Sequence, residues 1–227
     1  MAKERVTPCE IPGPAGRLEG LLHHDEESPP ARIAVVCHPH PLFGGNMHNK
    51  VVPRLDRALF SEGHAVMRFN YRGVGTSVGR YDEGYGEDAD ARAVVDEMAR
   101  RYPGRPLTLA GFSFGAGRAL SIGFDDPRVD QLIAVGAPEY ALVDRPGELS
   151  KPTLFLHAGE DELAPVSALR AFAARASGPL EVVIVEGSDH FFKERLDAVE
   201  EAVRAFCRRP DRPLGAGSGI DSEPPAG

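Results

Sequence analysis

A chain of 227 residues, 42% hydrophobic and 26% charged, has the length and balance of one globular domain with a sizeable core. Its 26 Lys and Arg against 34 Asp and Glu leave a net charge of −8, which offers no basic field to nucleic acid or to an anionic membrane. No apolar run reaches the ~18 residues that span a bilayer, and the start, Met1-Ala2-Lys3-Glu4-Arg5, lacks the apolar stretch of a secretory signal, so a cytoplasmic location is expected.

Segments 4–11 and 17–23, joined by the turn Pro12-Gly13-Pro14-Ala15-Gly16, predict an antiparallel hairpin. Short, β-branched apolar runs follow at 33–37, 65–69, 107–110, 132–135, 153–156 and 182–185, as expected of strands buried on both faces. Helices are predicted between and after them, at about 50–62, 87–101, 114–124, 166–177 and 192–208. The last repeats Leu196, Val199, Val203 and Phe206 at three- and four-residue steps, which makes one apolar face. The alternation predicts an α/β architecture: a mainly parallel sheet with helices on both faces, led in by the hairpin. Residues 1–209 form this domain, whereas 210–227, dense in Gly and Pro, read as a disordered tail. Cys9, Cys37 and Cys207 are far apart and read as reduced thiols without a zinc-binding spacing.

Ligands of open parallel sheets bind beyond the carboxyl ends of the strands. There the run 107–110 leads into Gly111-Phe112-Ser113-Phe114-Gly115 and then a helix. Gly-x-Ser-x-Gly is a weak signal by itself. A strand before it and a helix after it make it specific, because the serine must sit on a strained turn where backbone segments approach closely. Ser113 is therefore the candidate nucleophile, and it needs a histidine to take its proton.

Two histidines follow it. His157 ends an apolar strand and reads as a packed core residue, whereas His190 lies in the loop after the last strand, where a base belongs. For the acid that orients the imidazole, Asp161 is the first choice and Glu139 the second. Glu160 and Glu162 read as solvated or capping carboxylates, and Asp189 as a loop residue.

A tetrahedral oxyanion needs two N–H donors. Phe114 should supply one and the stretch His38-Pro39-His40-Pro41-Leu42-Phe43-Gly44-Gly45 the other. Pro39 and Pro41 have no N–H, which leaves His40 first and Leu42 second. His38, His40 and His48 have no interleaved acidic ligand, so no metal is expected, and His38 is read as a brace for the loop.

Together these residues resemble the serine α/β-hydrolase fold, and within it the small bacterial hydrolases similar to dienelactone hydrolase and to Xaa-Pro dipeptidyl-peptidase-like domains. The similarity spans about residues 5–208. It rests on 38–45, on Phe69-Asn-Tyr-Arg-Gly-Val-Gly-Thr-Ser77, on 111–115, on Asp161 with Pro165, and on Gly187-Ser-Asp-His-Phe-Phe192. The resemblance implies Ser113 as nucleophile, Asp161 as acid and His190 as base. Dienelactone hydrolases carry a cysteine where Ser113 stands, so their lactone substrate does not transfer. Arg72 is expected to brace loops rather than touch substrate.

Only about fifteen residues separate the run 132–135 from Lys151, too few for a multi-helix lid. An open site is expected, with Phe43, Phe112, Phe114, Tyr140 and Phe191 as an apolar wall for a short acyl group. The expected activity is a serine esterase acting on small carboxylic esters or lactones without a cofactor. A peptidase or an acyltransferase would use the same residues, and a non-catalytic binding protein is the least favoured alternative.

Overall fold

Two antiparallel strands open the chain: β1 (Glu4–Gly13) and β2 (Gly16–Asp25) pair from Glu4 opposite Asp25 to Gly13 opposite Gly16. The computed structural model describes residues 3–143 and 147–209, so the tail expected at 210–227 lies outside the described residues. Strands and helices then alternate: β3 (Arg32–Cys37), α1 (Val51–Ser61), β4 (His64–Phe69), α2 (Tyr85–Arg101), β5 (Leu107–Phe112), α3 (Phe114–Gly123) and β6 (Val129–Val135). They continue with α4 (Tyr140–Val143), β7 (Thr153–Ala158), α5 (Val166–Arg175), β8 (Leu180–Val185) and α6 (Leu196–Arg208).

The strands form one sheet in the order β1-β2-β4-β3-β5-β6-β7-β8. β2 is antiparallel to β1 and β4, and every pairing from β4 to β8 is parallel. The chain leaves β3 towards β4 and returns across it to β5, so the strand order reverses at β3. That reversal opens a crevice beyond the carboxyl ends of β3 and β5, where Cys37 pairs with Gly111.

The two-residue period of the strands divides the core. Ile33, Val35, Leu107 and Leu109 face α2 and α3, whereas Ala34, Val36, Ala110 and Phe112 face α1 and α6. The face of α6 expected from its periodicity is observed, with Val199, Val203 and Phe206 buried against α1. Each such side chain contributes about 1.5–3 kcal/mol relative to leaving it in water.

Two expectations are corrected. The run 182–185 is not buried on both faces: β8 is an edge strand, and only Val185 is buried in it. The last helix starts at Leu196 rather than 192, because Phe192 and Glu194 take positive φ values of 52° and 60° in a turn that helical backbone cannot continue. Among the described residues, only the single-turn α4 stands between β6 and β7, and no helix is long and apolar enough to cross a membrane. Cys37 is a packed thiol whose pKa burial pushes up to about 12.

Candidate active site

Ser113 occupies the one-residue elbow between β5 and α3, with φ 56° and ψ −121°. This strained conformation costs about 1–3 kcal/mol and persists only where neighbours enforce it. The Ser113 N–H donates to the Val135 carbonyl at 2.8 Å, and its own carbonyl accepts from the N–H groups of Ala116 and Gly117 at 2.9 and 3.1 Å. The flanking glycines are required by contact. A Cβ on Gly111 would lie 2.1 Å from the Gly115 oxygen, and one on Gly115 would lie 2.3 Å from the Cys37 oxygen. That second approach seats the start of α3 against the end of β3.

The turn aims the Ser113 hydroxyl at the His190 loop, where Oγ stands 2.9 Å from His190 Nε2. On the other side of the ring, Nδ1 meets Asp161 Oδ2 at 2.7 Å. Asp161 Oδ1 accepts from the N–H groups of Leu163 and Ala164 at 3.0 and 2.7 Å. Burial raises the carboxyl pKa, but the His190 bond and these backbone donors outweigh it and hold Asp161 below its ordinary value. A hydroxyl in such a chain can pass its proton to the imidazole while the carboxylate stabilises the charge that forms.

The alternatives separate cleanly. His157 is fully buried in β7, and burial lowers its pKa to about 4, so it is a neutral core residue. Glu139 is exposed, and its carbonyl accepts the N–H groups of Leu142 and Val143 in α4. Glu160 and Glu162 are exposed. The carboxylate of Asp189 accepts from the N–H groups of Phe191 and Lys193, which closes the turn that presents His190.

The loop after β3 carries the other predicted donors. Its His38 is fully buried: Nδ1–H donates to the Pro39 carbonyl at 2.6 Å, and Nε2 accepts from the Tyr71 N–H at 3.1 Å. Burial lowers its pKa to about 4, and the residue braces the loop as expected. The Leu42 N–H points to His40 Nδ1 at 3.2 Å and is therefore not a free donor. Among the described residues no acceptor meets the His40 N–H, and the Phe114 N–H, first in α3, has no acceptor within its helix. The His40 and Phe114 rings lie 4.8 Å apart, so the two residues are neighbours. No three His, Cys, Asp or Glu side chains cluster as metal ligands among the described residues.

Of the predicted apolar wall, Phe43 is 86% exposed, Tyr140 55% and Phe191 50%, and all three are open to solvent. Phe112 is corrected: it is fully buried on the α1/α6 face, with its ring 5.0 Å from that of His190, so it supports the imidazole from behind. Sequence reasoning missed Tyr81, whose hydroxyl meets His40 Nε2 at 3.3 Å, and Arg118, whose guanidinium lies over Phe114 at 5.3 Å and Tyr140 at 5.9 Å. Arg118 follows Phe114 by one helical turn, a spacing visible in the sequence, whereas nothing local marks Tyr81. Arg72 holds the buried Asp90 with Nε and Nη2, as a brace should. A groove of about 490 Å³ lies apart from these residues, between the loop 24–30 and Arg101–Arg105. At the site itself Ser113 is half-buried, and His190 and Asp161 are buried.

A parallel sheet with a serine elbow, a histidine in the last loop and an acid after β7 defines a serine α/β-hydrolase. Residues 28–142 match the family described as serine aminopeptidase, S33, and the chain belongs to that family within the serine α/β-hydrolase superfamily. It is similar to an uncharacterised protein of Rickettsia prowazekii, 33% identical over 204 residues, covering 86% of this chain and 85% of that one. An α-β serine hydrolase homologue from Coxiella burnetii superposes with a TM-score of 0.82 at 36% identity, covering 90% of this chain and 97% of that one. A serine hydrolase without lid from Xanthomonas campestris gives a TM-score of 0.82 at 31% identity, covering 92% and 97%.

Proposed function

We propose that this serine hydrolase is an esterase acting on small carboxylic esters or lactones, with Ser113 as nucleophile, His190 as general base and Asp161 as the acid that orients the ring. The hydrogen-bonded chain Ser113–His190–Asp161 on a strained elbow carries the reading. Ser113 attacks the carbonyl as His190 takes its proton, and the N–H groups of Phe114 and His40 hold the oxyanion. The protonated imidazole then supplies the leaving alcohol with a proton, and water releases the acyl group by the reverse sequence. The scheme needs no cofactor. The crevice and its exposed rim of Phe43, Tyr140 and Phe191 suit a short acyl group, and an unlidded site has few remote contacts to help a poor amine leaving group.

The test treats the protein and Ser113→Ala with a fluorophosphonate and with short p-nitrophenyl esters, alongside aminoacyl p-nitroanilides. Labelling and ester turnover by the wild type, both lost in the variant, are expected. Anilide cleavage without ester cleavage would replace the esterase by a peptidase. Labelling of the variant would remove Ser113 from its role.

A further inference from the structure

We propose that the imidazole of His40 and the hydroxyl of Tyr81 are positioning groups that hold the His40 N–H in place as an oxyanion donor. The inference rests on the serine-hydrolase reading above. An oxyanion donor helps only if it is aimed before the charge develops, so a loop donor needs something to aim it. The His40 N–H shares its peptide with the Pro39 carbonyl, which accepts from His38 Nδ1–H at 2.6 Å. On the next peptide the His40 carbonyl accepts from the N–H groups of Phe43 and Gly45, at 3.1 and 3.0 Å, so the residue is held on both sides of its Cα. The imidazole reaches forward as the N-cap of the 3₁₀ turn Pro41–Phe43, with Nδ1 accepting from the Leu42 N–H. That bond removes the competing donor and ties the ring to its own loop.

The cap requires one tautomer. In a neutral imidazole one nitrogen accepts and the other donates, so Nδ1 as acceptor places the proton on Nε2. Nε2 faces the Tyr81 hydroxyl at 3.3 Å, which accepts that proton's hydrogen bond. Tyr81 lies in the loop between β4 and α2, on a separate stretch of chain. The ring is packed at 4.7 Å from Phe43, 5.1 Å from Tyr81 and 4.8 Å from Phe114, the residue expected to supply the second N–H. The imidazole thus ties its own loop to Tyr81 and packs against the side chain of Phe114.

His40→Ala removes the cap and the packing together, whereas His40→Asn restores only the cap, since an Asn oxygen accepts well from the N–H two residues on. With a short p-nitrophenyl ester, His40→Ala should lower kcat about tenfold with KM nearly unchanged, because a donor displaced by a fraction of an ångström is lost mainly in the transition state. A boronic acid that forms a tetrahedral adduct on the serine should bind about tenfold more weakly in parallel. His40→Asn should recover to within about threefold of wild type, and Tyr81→Phe should lose about threefold with the same signature. An Asn variant as impaired as Ala, or losses confined to KM, overturns the proposal. If His40→Ala does not fold, the other two variants decide: kcat unchanged in Tyr81→Phe, or a tenfold loss in His40→Asn, overturns it. Failure of the wild type to react with fluorophosphonate would overturn the hydrolase reading and this inference with it, whereas a reactive wild type with unaffected variants sinks the inference alone.

Discussion

Two buried histidine–aspartate pairs in this protein have the same core geometry and different surroundings. His190 and Asp161 meet at 2.7 Å beyond the carboxyl ends of the strands, and His23 of β2 meets Asp56 of α1 at 2.7 Å on the sheet's α1/α6 side. The other oxygen of Asp161 accepts only neutral backbone N–H groups, so its negative charge remains available to an imidazolium. The other oxygen of Asp56 is met by Arg68 Nε at 2.9 Å and is already compensated. The far nitrogens differ as well: His190 Nε2 faces the Ser113 hydroxyl, whereas His23 Nε2 faces Glu4. A histidine–aspartate pair is therefore not a site in itself. An uncompensated carboxylate and a hydroxyl on a strained turn give one pair the setting of the proposed reaction, whereas an arginine and a second carboxylate surround the other as in a structural clamp.

The sharpest break between the pairs is expected from Ser113→Ala, which should reduce ester turnover by about 10⁶-fold while thermal stability stays the same or rises with relief of the elbow. Asp161→Asn should cost about 10⁴-fold in kcat, since the imidazole loses both its tautomer and its counter-charge. The matching Asp56→Asn should leave kcat within about twofold and lower unfolding free energy by about 3 kcal/mol, because the half-buried Arg68 guanidinium loses its carboxylate partner. Denaturant melts and ester kinetics on both variants settle this. Equal loss of activity from the two would abolish the distinction between the pairs.

Acid should reveal a milder contrast. Burial holds His38, His64 and His157 at about 4, below their ordinary value of 6.5, so the unfolded chain takes up protons first as pH falls. The stability tied to their neutrality is complete above pH 6.5 and declines towards about pH 4, by up to about 1.4 kcal/mol per pH unit for each histidine. Asp161, whose pKa is depressed, adds to the loss below the ordinary carboxylate value of 3.8. His64→Gln should flatten the dependence of melting temperature on pH across that window, and an unchanged slope would show that its titration is not linked to folding. The smallest effect is reserved for Asp189→Ala, beside the base in sequence. It should cost less than about 1 kcal/mol, with kcat within about twofold, since its carboxylate holds only turn N–H groups.

Much of this was legible in the sequence. The strand, Gly-x-Ser-x-Gly and helix form one continuous local unit, so periodicity and glycine placement disclose the elbow without knowledge of the rest. The position of His190 after the last strand, the hairpin and the α/β alternation are equally local. The edge exposure of β8 was not legible, because an apolar run carries the same residues whether a neighbour covers it or not. Phe112 was misplaced for a related reason: its neighbour Ser113 sits on the elbow, but the two-residue period turns the Phe112 ring into the α1/α6 core, behind the His190 imidazole.

The sequence by itself determined the architecture, the candidate nucleophile and the short list of its candidate partners, because those depend on what neighbouring residues can do to their own backbone. The sequence also ranked those partners, but only the tertiary structure brings Asp161, His190 and Ser113 within hydrogen-bond reach and sets the His40 imidazole against Tyr81. Those contacts join residues 29, 77 and, for His40 and Tyr81, 41 positions apart. Strand order and pairing register set such distances, and hydrogen bonds with a reach of about 3 Å tolerate little error in either.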